Sequence, residues 1–155
     1  MKINWGLLIT TIIFLAIGVI SFTVMHHEKK IAKCRANFII SNYDLEASVV
    51  ATVIIEKDHG VIFYDGPLLQ HEVIKGYLSR KVSFSIETKN KITLLHNTSI
   101  IKFKKDDVEQ LDAERILPDF FVKPKAEIFF DIVREQNGYF FIKDSLPIFY
   151  CRDMY

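Results

Sequence analysis

The sequence contains few of the residues that are typical of disordered or zinc-binding chains. It has 6 glycines, 4 prolines and 2 cysteines among 155 residues, whereas half of the residues are apolar and 13% are aromatic. Disordered chains have few aromatic residues, so this composition excludes disorder as the main state. The two cysteines form no CxxC pair and no Cys/His pair with metal-ligand spacing, which argues against a zinc site.

The chain also has almost no net charge. It carries 20 Lys and Arg against 19 Asp and Glu, and every charged residue except Lys2 follows residue 25. A nucleic-acid-binding domain would show a basic excess or a clustered basic face. We therefore expect no direct contact with nucleic acid.

Catalytic signatures are missing as well. The sequence has no His-Glu-x-x-His, no Gly-x-Ser-x-Gly, no Walker loop and no Gly-x-Gly-x-x-Gly. His59, His71 and His96 have no acidic or cysteine partner at a recognisable spacing, and the pair His26-His27 is typical of a polar membrane interface. The prediction is a protein that is not an enzyme and has no metal site and no cofactor.

One long stretch lacks any charge. Residues Trp5 to Met25 run for 21 positions without a charged side chain, and a helix of that length spans roughly 31 Å, close to the hydrocarbon thickness of a bilayer. A cleaved signal peptide has a shorter apolar core and an Ala-x-Ala-like site after it, which Val24-Met25-His26-His27 does not provide. The sequence therefore predicts a short start, a transmembrane helix, a polar stalk and a domain, at residues 1–4, 5–25, 26–33 and 34–155.

Two signals disagree on the side of the membrane where the domain lies. Four bases follow the span and only Lys2 precedes it, so the positive-inside rule places the domain in the cytoplasm. Cys34 and Cys151, at the two ends of the domain, are either free thiols in a reducing compartment or a disulfide that needs an oxidising one. Long translocated domains largely escape the charge rule. We therefore favour the disulfide, with a cytoplasmic N-terminus and a periplasmic domain on the inner membrane.

The domain has the pattern of short antiparallel strands. Ala47–Ile55 and Val61–Tyr64 flank a turn, Val82–Ile86 alternates with period two, and Asn137-Gly138 separates two apolar runs as a hairpin turn does. About seven or eight such strands predict a mainly β fold, either a lipocalin-like antiparallel barrel or a sandwich.

One helix interrupts this pattern. The sequence predicts it over residues 105–117, with Asp106 or Asp107 as its cap and Pro118 ending it. The mixed-sign cluster Lys102–Asp107 is interpreted as a solvated turn.

Several strands are apolar on both faces, whereas an antiparallel strand in a small domain normally has a polar outer face. Val50 and Ile54 lie opposite the inward set of one strand, and Phe129 and Val133 lie opposite the inward set of another. These four are the predicted partner interface, the alternative being a cover from the same chain. Three phenylalanines are candidates to line an apolar ligand cavity or, alternatively, to fill the core: Phe63, Phe84 and Phe130.

Motifs near both cysteines resemble a known family. They are Cys34-Arg35-Ala36, Leu117-Pro118-Asp119-Phe120, Asn137–Phe141 and Leu146–Cys151, and in this order they resemble the FidL-like family of small enterobacterial inner-membrane proteins. The resemblance implies an arrangement similar to ToxS with ToxR and VtrC with VtrA. In it, a small periplasmic domain pairs with and stabilises the sensory domain of a membrane-anchored winged-helix transcription regulator.

The resemblance also implies a ligand and leaves two other functions open. In some such pairs a joint barrel receives bile salts, so a bile salt or another amphipathic small molecule is an expected ligand of the heterodimer. Cys34 and Cys151 are the only matched positions that gain a role, as the disulfide. The alternatives are a free-standing periplasmic lipid or bile binder of lipocalin type, and an envelope assembly factor.

Overall fold

A computed structural model describes residues 31–89 and 92–154. In this part of the chain, eight strands follow one another around a closed barrel in which every strand is antiparallel to its neighbours. The strands are β1 (Ile31–Asn42), β2 (Leu45–Glu56), β3 (His59–Gln70), β4 (Val73–Lys89), β5 (Ile92–Lys102), β6 (Glu127–Glu135), β7 (Gly138–Lys143) and β8 (Leu146–Asp153). The barrel is thus the correct one of the two predicted architectures, and residues 31–33 belong to β1 and not to the predicted stalk.

Side chains that point alternately inward and outward along each strand determine which residues form the core. In β2, Val49, Ala51 and Val53 are buried inside the barrel, while Val50 between them is exposed. Strand period two places every second residue on the inner face, and closing the sheet gives each strand a neighbour on both sides. The core is therefore the barrel interior.

The last hairpin forms where it is predicted, but its glycine has a different role. Its turn residues are Gln136 and Asn137, and Gly138 already belongs to β7 with a φ that is not positive. A Cβ atom on Gly138 would lie 2.3 Å from the carbonyl oxygen of Cys151. Glycine is needed here because β8 passes too closely for a side chain.

The connection between β5 and β6 carries two short helices among the described residues, where one is predicted. They are α1 (Gln110–Ile116) and α2 (Asp119–Val122). The N-cap of α1 is Glu109, which makes no side-chain cap hydrogen bond, so neither predicted acidic cap is correct. Pro118 is the N-cap of α2. The two helices and Leu117 between them add five buried apolar side chains to the core: Ala113, Ile116, Leu117, Phe120 and Val122.

Asp106 lies inside the protein, so the prediction of a fully solvated turn over Lys102–Asp107 is wrong at this residue. Its Oδ2 atom accepts hydrogen bonds from the Arg80 Nε atom and the Ser79 backbone N–H, both at 2.9 Å. The Lys102 Nζ atom lies 3.3 Å from the other carboxylate oxygen. A buried carboxylate needs such partners, and they anchor the start of the helical connection to β4.

Among residues 31–89 and 92–154, no helix is long and apolar enough to cross a membrane. The predicted span at residues 5–25, its short start and most of the predicted stalk lie outside the described residues.

Candidate functional site

The barrel closes at a seam between β1 and β8. Strand β1 pairs with β2 along its whole length, but it pairs with β8 only at Cys34↔Asp153 and Arg35↔Arg152. Among the described residues, one hydrogen-bonding edge of β1 and one of β8 therefore have no strand partner over most of their length. Every other pair of neighbouring strands in the described barrel shares four or more ladder pairs, so this seam is the point of weakest closure.

A disulfide holds the closed end of the seam, as predicted. Cys34 and Cys151 are bonded, with their Cα atoms 5.3 Å apart, and both are almost fully buried. The bond lies beside the two ladder pairs, so the disulfide and the backbone hydrogen bonds join β1 to β8 at the same place. Beyond it, toward the helices, the two strands separate.

The separated strands leave an apolar cleft, here called the seam cleft. It has a volume of about 540 Å³, within the range of roughly 300–1,000 Å³ that is usual for small-molecule sites. Its lining comes from β1, both helices and β6 to β8: Phe38, Ile39, Ile40, Ser41, Ile116, Leu117, Pro118, Phe121, Ile128, Phe130, Lys143, Ile148 and Phe149.

Aromatic rings form one wall of the seam cleft. Phe149 stacks on Phe141 with ring centroids 4.4 Å apart and on Phe38 at 5.4 Å, across the seam. Phe130 meets both Phe141 and Phe149 edge to face, at 5.5 and 6.1 Å. Offset and edge-to-face pairs of this kind hold each other in place, so the wall is preformed.

The floor of the seam cleft is fixed by hydrogen bonds from the barrel interior. The Tyr64 hydroxyl donates to the Phe121 carbonyl at 2.9 Å, and the Asn97 side-chain amide donates to the Phe120 carbonyl at 2.6 Å. Burial raises the pKa of Tyr64 above its usual 10.0, with a smaller opposing effect from Arg80. Tyr64 is therefore a neutral donor that positions α2.

Among the described residues that line the seam cleft, Lys143 is the charged one. The Lys143 Nζ atom lies 5.4 Å from the centroid of the Phe129 ring. The described lining is thus apolar apart from Ser41 and Lys143, and the ammonium of Lys143 lies against the ring of Phe129.

The three phenylalanines proposed as ligand contacts do not come together. Phe130 lines the seam cleft. Phe84 is buried against Phe120, with ring centroids 6.0 Å apart, and belongs to the core. Phe63 lies on the outer face, where it stacks on Phe103 at 6.5 Å.

The outer face of β5 to β8 is apolar over much of its area. Leu94 is paired directly with Phe129, Val133 with Phe140, and Phe140 with Tyr150. Together with two isoleucines on the same side, these residues are called the outer apolar face: Ile92, Leu94, Phe129, Val133, Phe140, Ile142 and Tyr150. A shallow groove of about 420 Å³ crosses it beside Phe129.

The four residues predicted as a partner interface lie on two opposite sides of the barrel. Phe129 and Val133 belong to the outer apolar face and are 43% and 39% exposed. Val50 and Ile54 point outward from β2, which three strands separate from β6 in either direction around the barrel. One flat partner surface cannot reach both pairs.

Of the thirteen residues that line the seam cleft, the sequence predicted only Phe130 as a ligand contact; Phe38, Phe149 and Lys143 are among those it did not predict. A signal for the first two was present, because Phe38 lies four residues after Cys34 and Phe149 lies two residues before Cys151. Even spacing along a strand places side chains on the same face, so both rings had to flank the disulfide. Lys143 had no such signal, since its position depends on the register of the last hairpin.

Comparison with known families gives one match. The YqeJ C-terminal domain family matches residues 31–151, which is nearly the whole described barrel. The chain belongs to this family. The match gives no evidence for the resemblance to the FidL-like family, ToxS or VtrC that the motifs near the cysteines suggest. No curated protein and no solved structure matches the chain.

Proposed function

We propose that this member of the YqeJ C-terminal domain family is the accessory subunit of a membrane-anchored winged-helix transcription regulator. It is a single-pass inner-membrane protein whose barrel lies in the periplasm and pairs with the sensory domain of the regulator. This assignment follows the resemblance to FidL-like proteins and to the ToxS and VtrC partners. The disulfide supports it, because such bonds persist in oxidising compartments.

The outer apolar face is the observation that carries the proposal. Antiparallel strands in small domains usually present polar residues to solvent. Here the aromatic residues Phe129, Phe140 and Tyr150 lie outside the barrel with aliphatic neighbours, and aromatic side chains are enriched at the centres of protein interfaces. Burying this face against the regulator would stabilise both proteins by mass action.

Charges around the outer apolar face fit a specific partner. Glu87 and Lys89 border its groove, and Lys143 lies over Phe129. A polar rim around an apolar centre is the usual arrangement of a protein interface. The outer apolar face lies on one side of the barrel, whereas the outward apolar residues of β2 lie on the opposite side.

The test is cross-linked co-purification of the tagged full chain from native membranes. The variant is Phe129→Asp with Val133→Asp, and the matched control is Val50→Asp with Ile54→Asp. Val50 is 44% exposed and Phe129 is 43% exposed, so each double variant changes one residue of matched exposure, and the two variants lie on different sides of the barrel. Resistance to protease shows that each variant folds.

The expected result is that wild type and the control retain a single-span protein with a cytoplasmic winged-helix domain, while the Phe129 variant loses it. Equal recovery with both double variants would show that the outer apolar face is not the interface. Recovery of the chain alone, folded and without a regulator, would reject the accessory role.

A further inference from the structure

We propose that three basic side chains at the closed end of the seam dock the barrel onto the anionic phospholipid headgroups of the membrane. These residues are called the basic cluster: Lys33, Arg35 and Arg152. The inference rests on the membrane anchor of the proposed function, but it needs no regulator. It follows from like charges that face each other across the seam, from their uncharged neighbours and from the short chain that leads to the predicted span.

Two arginines lie directly opposite each other across the seam. Arg35 is the ladder partner of Arg152, and opposite residues of an antiparallel pair have their Cβ atoms about 4.5–5.5 Å apart. Lys33 lies two residues before Arg35 and therefore on the same outer face, and all three side chains are exposed. Like charges in direct opposition destabilise a sheet. An anion bound between these side chains would therefore stabilise the seam.

The neighbouring strands meet the basic cluster with uncharged residues. Its ladder partners on β2 and β7 are Ile54, Thr52 and Gly138. Asp153 is next to Arg152 in the chain, but both of its carboxylate oxygens accept hydrogen bonds from the Arg134 guanidinium, at 3.0 and 2.7 Å. The positive charge of the cluster therefore faces outward and is suited to an anion from outside the barrel.

The sequence places the basic cluster close to the predicted membrane span. Five residues, 26–30, separate the span, which ends at Met25, from β1, which begins at Ile31. Five extended residues cover at most about 18 Å. A chain anchored by this span therefore keeps the cluster within reach of the headgroups, where basic side chains are attracted to anionic lipid.

Docking would also give a role to two of the four bases that follow the span. The positive-inside rule treats Lys33 and Arg35 as orientation signals, whereas the structure places both in a strand of the folded barrel. Contact with anionic headgroups requires these bases on whichever side of the membrane holds the barrel. Their position is thus compatible with the periplasmic barrel that the disulfide favours.

The experiment uses the full chain in two kinds of nanodisc, one of phosphatidylcholine and one with phosphatidylglycerol added. Asn37→Cys, exposed on the outer face of β1, carries a fluorophore that spin-labelled headgroups quench when the barrel docks. The native cysteines are bonded to each other, so the label reacts at position 37. The variant is Arg35→Glu with Arg152→Glu. Its matched control is Lys104→Glu with Lys125→Glu, two exposed bases between β5 and β6 that change the net charge equally.

Quenching should be stronger with phosphatidylglycerol than without it, in wild type and in the lysine control, and should fall at high salt because the charges are screened. In the arginine variant the ratio of docked to undocked barrel should fall by about thirtyfold, which corresponds to about 1 kcal/mol for each of two bases near an anionic surface. Resistance to protease shows that each variant folds.

Quenching that is equal in the two lipids, or that both double variants lower alike, would overturn the proposal. A chain that does not enter the nanodiscs would overturn the anchor as well. Because no regulator is present, failure to dock in nanodiscs that hold the chain leaves the regulator proposal standing. Loss of the regulator in the co-purification would likewise leave lipid docking standing.

Discussion

Removing the disulfide is the most informative perturbation of this barrel. The change is Cys34→Ala with Cys151→Ala, which breaks the covalent link at the seam and leaves only two ladder pairs between β1 and β8. Every other pair of neighbouring strands in the barrel is held by four or more ladder pairs. The seam should therefore be the first part of the barrel to open.

The size of the effect follows from the length of the closed ring. The two cysteines are 117 positions apart in sequence, and cross-linking a ring of that size restricts the unfolded chain by about 4–5 kcal/mol in the entropy model. A domain of this kind has a total stability of about 5–15 kcal/mol. We expect the double variant to lose a large part of its free energy of unfolding.

Pulse proteolysis of the full chain across a urea series measures this loss. Wild type with reductant should unfold at nearly the same urea concentration as the double alanine variant, because both lack the link. Hydrogen exchange should then speed up first in β1 and β8. A loss below about 1 kcal/mol, or exchange that rises first in β3, would refute the view that the disulfide closes the seam.

Two further predictions concern the barrel interior. Asp106→Asn leaves the buried Arg80 guanidinium without its carboxylate and should cost about 3–5 kcal/mol of unfolding free energy, whereas the exposed Arg134→Gln should change the urea midpoint far less. Burial raises the pKa of Tyr64 above 10.0, so the unfolded phenol ionises first. The contribution of Tyr64 to stability should be complete below pH 10.0 and fall as the pH rises further. Thermal melts should show a smaller slope in Tyr64→Phe than in wild type, and a slope unchanged in that variant would contradict the assignment.

Local pattern was enough to predict much of the fold. Alternation along Ala47–Ile55 correctly separated inward Val49 and Val53 from outward Val50, because side-chain direction in a strand depends only on sequence spacing. The Asn137-Gly138 hairpin was also correct in position. The helix was misplaced because Asp106 has the sequence signature of a cap, whereas a distant buried arginine competes for its carboxylate.

The candidate site could be predicted only in fragments. Phe130 was chosen for its apolar character and does line the seam cleft, but Phe63 was chosen on the same ground and lies outside the barrel. Composition cannot distinguish these two phenylalanines, because whether a side chain points into the barrel or out of it depends on its position along the strand and on how the barrel closes. The position of Lys143 beside the cleft depends on the register between β7 and β8, which the sequence pattern does not specify.

Local spacing predicted the β class, the approximate number of strands and the apolar residues on both strand faces, whereas two cysteines at the ends of the domain only favoured a disulfide over free thiols. The bond itself and the surfaces that the apolar residues form are visible only in the folded barrel. Barrel closure brings β1 beside β8, opens the seam cleft, and places Phe129 and Val50 on opposite sides. Pairing between strands that are distant in sequence is a long-range interaction, and local periodicity carries no information about it.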